Sequence, residues 1–173
     1  MQDFLEILKI LIPALAVFAA TYFIVKSFLS NEQRRREIEI RRSTQSGIVP
    51  IRLQAYERVI IFLERLHPNN LVLRVNKLGM SSQELHAELV KAIKSEYEHN
   101  ISQQIYMSAG AWELVRTAKE ETLKLVNISY NKVQENSKSH DLAQIILQIA
   151  SSVDKIPSQI AQEFIKKEIT RLF

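Results

Sequence analysis

Apolar residues recur at three- and four-residue spacing through most of the chain after residue 50, which is the period of helices with one buried face. No window shows the alternation of a β-hairpin. We therefore predict an all-α fold, with four or five antiparallel helices over residues 50–173. The expected buried positions include Ile51, Ala55, Val59, Phe62, Leu63, Leu66, Leu85, Leu89, Ala92, Ile93, Trp112, Val115, Ala118, Leu123, Val126, Tyr130, Leu142, Ile145, Ile146, Ile149, Ile160, Phe164, Ile165, Ile169 and Leu172.

Local signals give the expected helix boundaries. Residues 43–49 (STQSGIV) predict a break, and Pro50 is well placed as the first residue of a helix that stops at residues 67–70. A short segment then ends at Gly79, a natural left-handed cap. Ser81 and Glu84 fit a capping box for a helix that extends to about residue 107. Further helices are expected over about 110–135, from residue 142, and from Pro157.

The region before residue 30 has a different pattern. Residues 10–25 carry no charge and would cover about 24 Å as a helix, slightly less than a bilayer core of about 30 Å. Extension to residues 5–29 adds Glu6, Lys9 and Lys26, and lysine stems can reach the interface from near a helix end. We predict an uncleaved transmembrane anchor over residues 1–30. A cleaved signal peptide is the alternative, but the acidic N-terminus lacks the basic run that such peptides need.

The net charge of +4 is concentrated after the predicted span, because residues 26–52 alone sum to +4. By the positive-inside rule, the N-terminus lies outside and the C-terminal domain in the cytoplasm, at a bacterial inner membrane. The expected contact with anionic headgroups of the lipid bilayer is made by Lys26, Arg34, Arg35, Arg36, Arg41 and Arg42. A nucleic-acid partner is not expected, because the arginines lack interleaved aromatic residues and any binding motif.

The sequence lacks the residues that most known catalytic mechanisms require. The chain has no Cys, which excludes thiolate metal sites and a cysteine nucleophile, and its three Gly form no phosphate-binding loop. We predict no catalytic residue and no cofactor, and the sequence identifies no small-molecule substrate.

Two Glu-x-x-His pairs keep a metal site open as an alternative, because this spacing places both ligands on one helix face, as in di-iron bundles. They are Glu64 with His67, at a helix end, and Glu96 with His99, which continue an apolar stripe. Other interpretations of the second pair are a polar cluster with Asn100 and Gln103, or a solvated face.

Two blocks resemble a known family. Residues 50–58 (PIRLQAYER), with the apolar run to Leu66, are similar to the signature stretch of uncharacterised bacterial proteins that have one N-terminal span and a helical cytoplasmic domain. Residues 96–106 (EYEHNISQQIY) are similar to a second shared block. The resemblance implies this layout and supplies no activity.

The resulting layout is an anchor over residues 1–30, a basic stalk and linker over 31–49, and a helical cytoplasmic domain over 50–173. We predict a non-enzymatic scaffold or accessory subunit of an inner-membrane complex, which binds other subunits or itself. The partner-binding candidates are Arg52, Tyr56, Glu57 and Arg58. The C-terminal helix either packs on the domain or lies on the membrane. The alternative function is a membrane-tethered metal-dependent oxidoreductase with a Glu/His site.

Overall fold

The computed structural model describes residues 2–172, and it describes side chains for residues 15, 17–40 and 47–171. Within residues 2–172 there is no β-strand, in agreement with the predicted all-α fold. The chain divides into two units, Met1–Val49 and Pro50–Phe173. The helices are α1 Gln2–Leu66, α2 Pro68–Val75, α3 Ser82–Asn100, a 3₁₀ helix Ile101–Tyr106, α4 Ala109–Tyr130, α5 Ser139–Ser151 and α6 Pro157–Leu172.

The predicted transmembrane helix is contradicted. In the part of the chain that the structure describes, no helix has a stretch both long and apolar enough to cross a bilayer. The uncharged run of residues 10–25 is too short by itself, and each extension adds a charge at Glu6, Lys9 or Lys26. The side chains of residues 2–14 and 16 lie outside the described residues. The side chains of residues 15 and 17–31 are exposed, with Phe18 at 71% and Ile24 at 68%.

The predicted break at residues 43–49 and the helix start at Pro50 are also wrong. The α1 backbone is helical from Gln2 to Leu66 without interruption. A single interior proline costs about 3 kcal/mol and a glycine about 1 kcal/mol relative to alanine. Helix-forming residues 31–42 and 51–66 flank this stretch on both sides, and propagation from them outweighs the local costs.

The second unit has one hydrophobic core, to which the last turns of α1 and helices α2 to α6 all contribute. The last turns of α1 supply Ala55, Val59, Phe62, Leu63 and Leu66, all at most 2% exposed, as predicted. The predicted core position Ile51 is instead 49% exposed. The other fully buried side chains include Tyr56, Leu71, Leu85, Leu89, Ile93, Leu142, Ile146 and Ile165.

Helix α6 packs against α4, so the C-terminal helix lies on the domain. The predicted stripe is confirmed at Ile165, which is buried, and at Ile169, which is partly buried against the core. It is wrong at Ile160 and Phe164, which are 43% and 41% exposed, and it lacks Ala161, which is buried. Helix α4 contributes the small buried residues Ala111 and Ala118. Small residues let two helix backbones approach closely, which favours the alanine face of α6 over its larger neighbours.

The connections follow local signals. Ser81 caps α3 through the predicted box, its Oγ accepting from Glu84 N at 3.2 Å while Glu84 Oε2 accepts from Ser81 N at 2.9 Å. A short bridge joins this loop to the one before α5, since Ser139 N donates to Met80 O at 3.0 Å. Three helices end earlier than predicted: α2 at Val75, α3 at Asn100 and α4 at Tyr130.

Gly79 adopts a φ of +85°, as its predicted left-handed conformation requires. We expect Gly79→Ala to lower the free energy of unfolding by about 1 kcal/mol, because an L side chain is strained at this φ. Urea denaturation measures the change. Gly47→Ala is the matched control: no atom lies within 4 Å of either added Cβ, but Gly47 is helical. Equal effects at both positions would contradict the backbone explanation.

Candidate binding groove

Two adjoining depressions run along α3 and share Ser95 in their walls. The first, about 400 Å³, lies between α3 and the end of α1; its walls include Arg58, Ile61, Arg65, Ser95, His99 and Asn100. The second, about 690 Å³, lies between α3 and the α2–α3 connection; its walls include Arg74, Lys77, Met80, Glu84, Lys91 and Ser95. We call the two depressions together the α3 groove. Both are open to solvent.

An ion-pair triad stands where the two depressions meet. Glu96 Oε1 accepts from Arg65 NH1 at 2.8 Å and from Arg74 NH1 at 2.6 Å. The Glu96 side chain is 20% exposed, and those of Arg65 and Arg74 are 52% and 37% exposed. Each contact is a charge-assisted hydrogen bond, which is stronger than a neutral one. The triad therefore joins α1, α2 and α3 and fixes the shape of the groove.

The metal alternative lacks a matching geometry. The carboxylate of Glu96 faces two guanidinium groups, which are cations and would repel a metal ion. His99 is exposed, and its Nδ1 lies 3.2 Å from the Ser95 carbonyl oxygen; Glu64 is exposed and His67 precedes α2. Among the described residues, no three His, Asp or Glu side chains come together as a metal site would require.

The predicted polar cluster around Glu96 is present in part. Asn100 and Gln103 are 7% and 8% exposed. Asn100 Nδ2 donates to the Glu96 carbonyl oxygen at 2.8 Å, and Gln103 Nε2 donates to Ser102 Oγ at 3.1 Å. The side chains of Glu96 and His99 take other partners, so the cluster is a set of local backbone and side-chain bonds.

Arg58 and Ile61 give the first depression its open surface. Arg58 is exposed, and its NH2 donates to the His99 carbonyl oxygen at 3.3 Å. Ile61 is 47% exposed, whereas the next residue, Phe62, is 1% exposed and lies 6.1 Å from Tyr97, ring centre to ring centre. A cation thus lies one helical turn from an apolar side chain on the same face of α1.

The other predicted partner-binding residues divide into two groups. Glu57 is exposed. Tyr56 is fully buried and is therefore not available to a partner. Arg52 is half-buried, and its Nε donates to the Tyr106 carbonyl oxygen at 3.3 Å. Arg58 is the predicted candidate that the structure places in the α3 groove.

Tyr56 belongs to a polar network that sequence reasoning missed. Its hydroxyl donates to Glu168 Oε1 at 2.5 Å, and Ser108 N donates to the same oxygen at 3.1 Å. Ser108 Oγ bonds to Glu168 Oε2. The spacing could have indicated this network, because Tyr56 is three residues before Val59 and Glu168 is three residues after Ile165, in register with buried positions.

The network is not poised for proton transfer. Burial, and then the hydrogen bond to Glu168, raises the pKa of Tyr56 above its ordinary value of 10.0. Burial alone would raise the pKa of Glu168, but hydrogen bonds from Ser108 and Tyr56 outweigh it, and the net shift is downward from 4.5. The phenol therefore stays protonated and the carboxylate ionised, which suits a structural bond between α1, α4 and α6.

The predicted membrane-contact residues belong to the first unit. Arg36 Nε pairs with Glu32 Oε1 at 3.2 Å, and Lys26 Nζ lies 5.8 Å from the centre of the Tyr22 ring. Arg34 and Arg35 are exposed. The side chains of Arg41 and Arg42 lie outside the described residues.

Comparison with known proteins gives a family. Residues 2–172 match a family described as "Family of unknown function (DUF7935)". The chain belongs to this family. No curated protein and no solved structure matches it. The match agrees with the resemblance to an uncharacterised family and adds no activity. The bacterial inner-membrane location is tested by none of these findings and stays a prediction.

Proposed function

We propose that this chain is a non-enzymatic scaffold or accessory subunit of a protein complex, and that it binds its partner through the helical domain of residues 50–172. The observation that carries the proposal is the α3 groove. It is open, it has exposed cations beside an exposed apolar side chain, and its carboxylate Glu96 is held by two arginines. Such a surface suits contact with a macromolecule better than enclosure of a small substrate.

Exposed apolar side chains in the first unit support the same proposal. Val17, Phe18, Phe23, Ile24 and Phe28 are each 67% to 71% exposed. Large apolar side chains exposed in such number along one helix generally mark a site that another molecule covers. The α3 groove and these exposed apolar side chains are therefore two surfaces at which a partner could bind.

The oxidoreductase alternative receives no specific support from the site. Its best candidate ligand, Glu96, is bound by Arg65 and Arg74, and the imidazole of His99 lies at an exposed helix end. The carboxylate of Glu96 thus serves ion pairs between helices.

Crosslinking followed by affinity purification tests the proposal. The tagged full-length chain is expressed at native level in its own cell, crosslinked, purified and quantified by mass spectrometry against a tag-only control. We expect one protein, or a second copy of the chain, at near-stoichiometric amount. A chain recovered alone and monomeric after crosslinking would contradict the proposal, as would about two equivalents of iron or manganese in the purified protein.

A further inference from the structure

We propose that the α3 groove binds an acidic amphipathic helix from another protein. This inference rests on the proposed function and specifies its surface and its partner class. The charge of the groove, its apolar contacts and its length each point to such a helix.

The carboxylates of the groove are already bound within the domain. Glu96 pairs with two arginines, Glu84 Oε2 accepts from Ser81, and Glu88 Oε1 lies 3.9 Å from Lys91 Nζ. By contrast, among residues with described side chains, no carboxylate forms an ion pair with Arg58 or Lys77. These two cations are left for the carboxylates of a partner.

The whole lining is basic as well. Five arginines and lysines face three glutamates along the two depressions, a net charge of +2. Complementary charge steers association and selects a negatively charged partner. A second copy of the chain is disfavoured on this groove, because a two-fold contact of groove against groove would place these cations opposite each other.

Apolar side chains distinguish a peptide from a phosphate polymer. Ile61 is 47% exposed in the first depression, and Val75, Met80 and Ala92 line the second. A nucleic-acid backbone has no apolar group to cover these positions, whereas one face of an amphipathic helix supplies them at three- and four-residue spacing.

The length of the groove fits a helix of moderate size. Its α3 wall extends from Glu84 to Asn100, which corresponds to about 24 Å at helical rise. A partner helix of about 16 residues spans this distance. Its acidic flanks would reach Arg58 at one end and Lys77 at the other, with apolar side chains between them.

Selection from a display library tests the proposal, because such a selection requires no named partner. A library of random 16-residue peptides is selected on the immobilised full-length chain, with counter-selection on the Arg58→Glu variant. We expect enrichment of Asp and Glu together with Leu, Ile or Phe at helical spacing. No enrichment, enrichment of basic peptides, or acidic peptides without apolar spacing would each overturn the proposal.

Substitutions in the groove then test whether the selected peptide binds there. For the most enriched peptide, we expect Arg58→Glu to raise Kd about tenfold or more and Ile61→Ala about fivefold in fluorescence anisotropy. Arg116→Glu is the matched control, since Arg116 is an exposed arginine on α4 outside the groove. Equal weakening by both charge reversals would overturn the assignment, as would displacement of the peptide by an oligonucleotide at equal concentration.

The crosslinking experiment separates this inference from the proposed function. If a stoichiometric partner is recovered equally well with wild type and with Arg58→Glu, the groove assignment fails and the scaffold function stands. If neither chain recovers a partner, the scaffold function itself fails.

Discussion

Phe62→Ala is expected to lower the free energy of unfolding by about 3–5 kcal/mol, a large part of the roughly 5–15 kcal/mol by which a folded domain is typically stable. Phe62 is 1% exposed and belongs to the core that α1 shares with the other helices. Its ring lies 6.1 Å from Tyr97, which in turn lies 5.7 Å from Trp112. Truncation removes aromatic contacts with α3 and leaves a cavity beneath the first depression.

Urea denaturation followed by circular dichroism measures this loss, and the adjacent residue provides the control. Ile61 is 47% exposed, so Ile61→Ala should cost less than about 1 kcal/mol. The pair separates two roles: Phe62 holds the fold, and Ile61 meets the partner. A similar loss of stability at both positions would contradict the burial that distinguishes them.

The pattern of apolar residues predicted the core of the second unit well. The stripe Val59, Phe62, Leu63 and Leu66 is buried, as is the Leu85, Leu89 and Ile93 stripe of α3. These predictions succeeded because a helix with one large apolar face can bury it in one way. The α6 stripe was correct at Ile165 but wrong at Ile160 and Phe164, because two adjacent rows of this helix are apolar and the row with Ala161 and Ile165 is the buried one.

Other features depend on contributions summed over a long segment, which a short sequence motif does not show. Residues 43–49 predicted a break and Pro50 predicted a helix start, yet α1 continues through both, because helix propagation on either side compensates the local costs. The transmembrane prediction required Glu6, Lys9 and Lys26 to be tolerated within or beside the span.

Two residues of the α3 groove could be predicted from the sequence. Arg58 was a candidate partner residue, and Glu96 stood out by its position on an apolar stripe. Their setting was not predictable, because Arg65 and Arg74 reach Glu96 from separate helices, 31 and 22 residues away in sequence. A metal ligand and an ion-pair acceptor look alike until the neighbouring cations are located.

Glu168→Ala is expected to lower the free energy of unfolding by about 2–3 kcal/mol at pH 7. The carboxylate accepts from the buried hydroxyl of Tyr56 and from both the backbone N–H and the hydroxyl of Ser108. Ser108 also caps α4, its Oγ accepting from Ala111 N at 3.1 Å. Removal of the acceptor leaves Tyr56 without its partner and takes a negative charge from the N-terminus of α4.

The pH dependence gives a second readout for Glu168. Its folded-state pKa lies below the ordinary value of 4.5, so its contribution is complete above about pH 5 and is lost as the pH falls through the folded-state value. The difference between wild type and Glu168→Ala should therefore shrink below about pH 4.

Glu163→Ala is the matched control, since Glu163 is an exposed glutamate on the same helix that pairs with Lys155 at 2.8 Å. Both variants change helix propensity equally, so a loss specific to Glu168 isolates the network. If the two variants denature at the same urea concentration at pH 7, the carboxylate of Glu168 does not hold α1, α4 and α6 together. A Tyr56→Phe/Glu168→Ala double-mutant cycle then assigns the shared energy, because the two side chains are in direct contact.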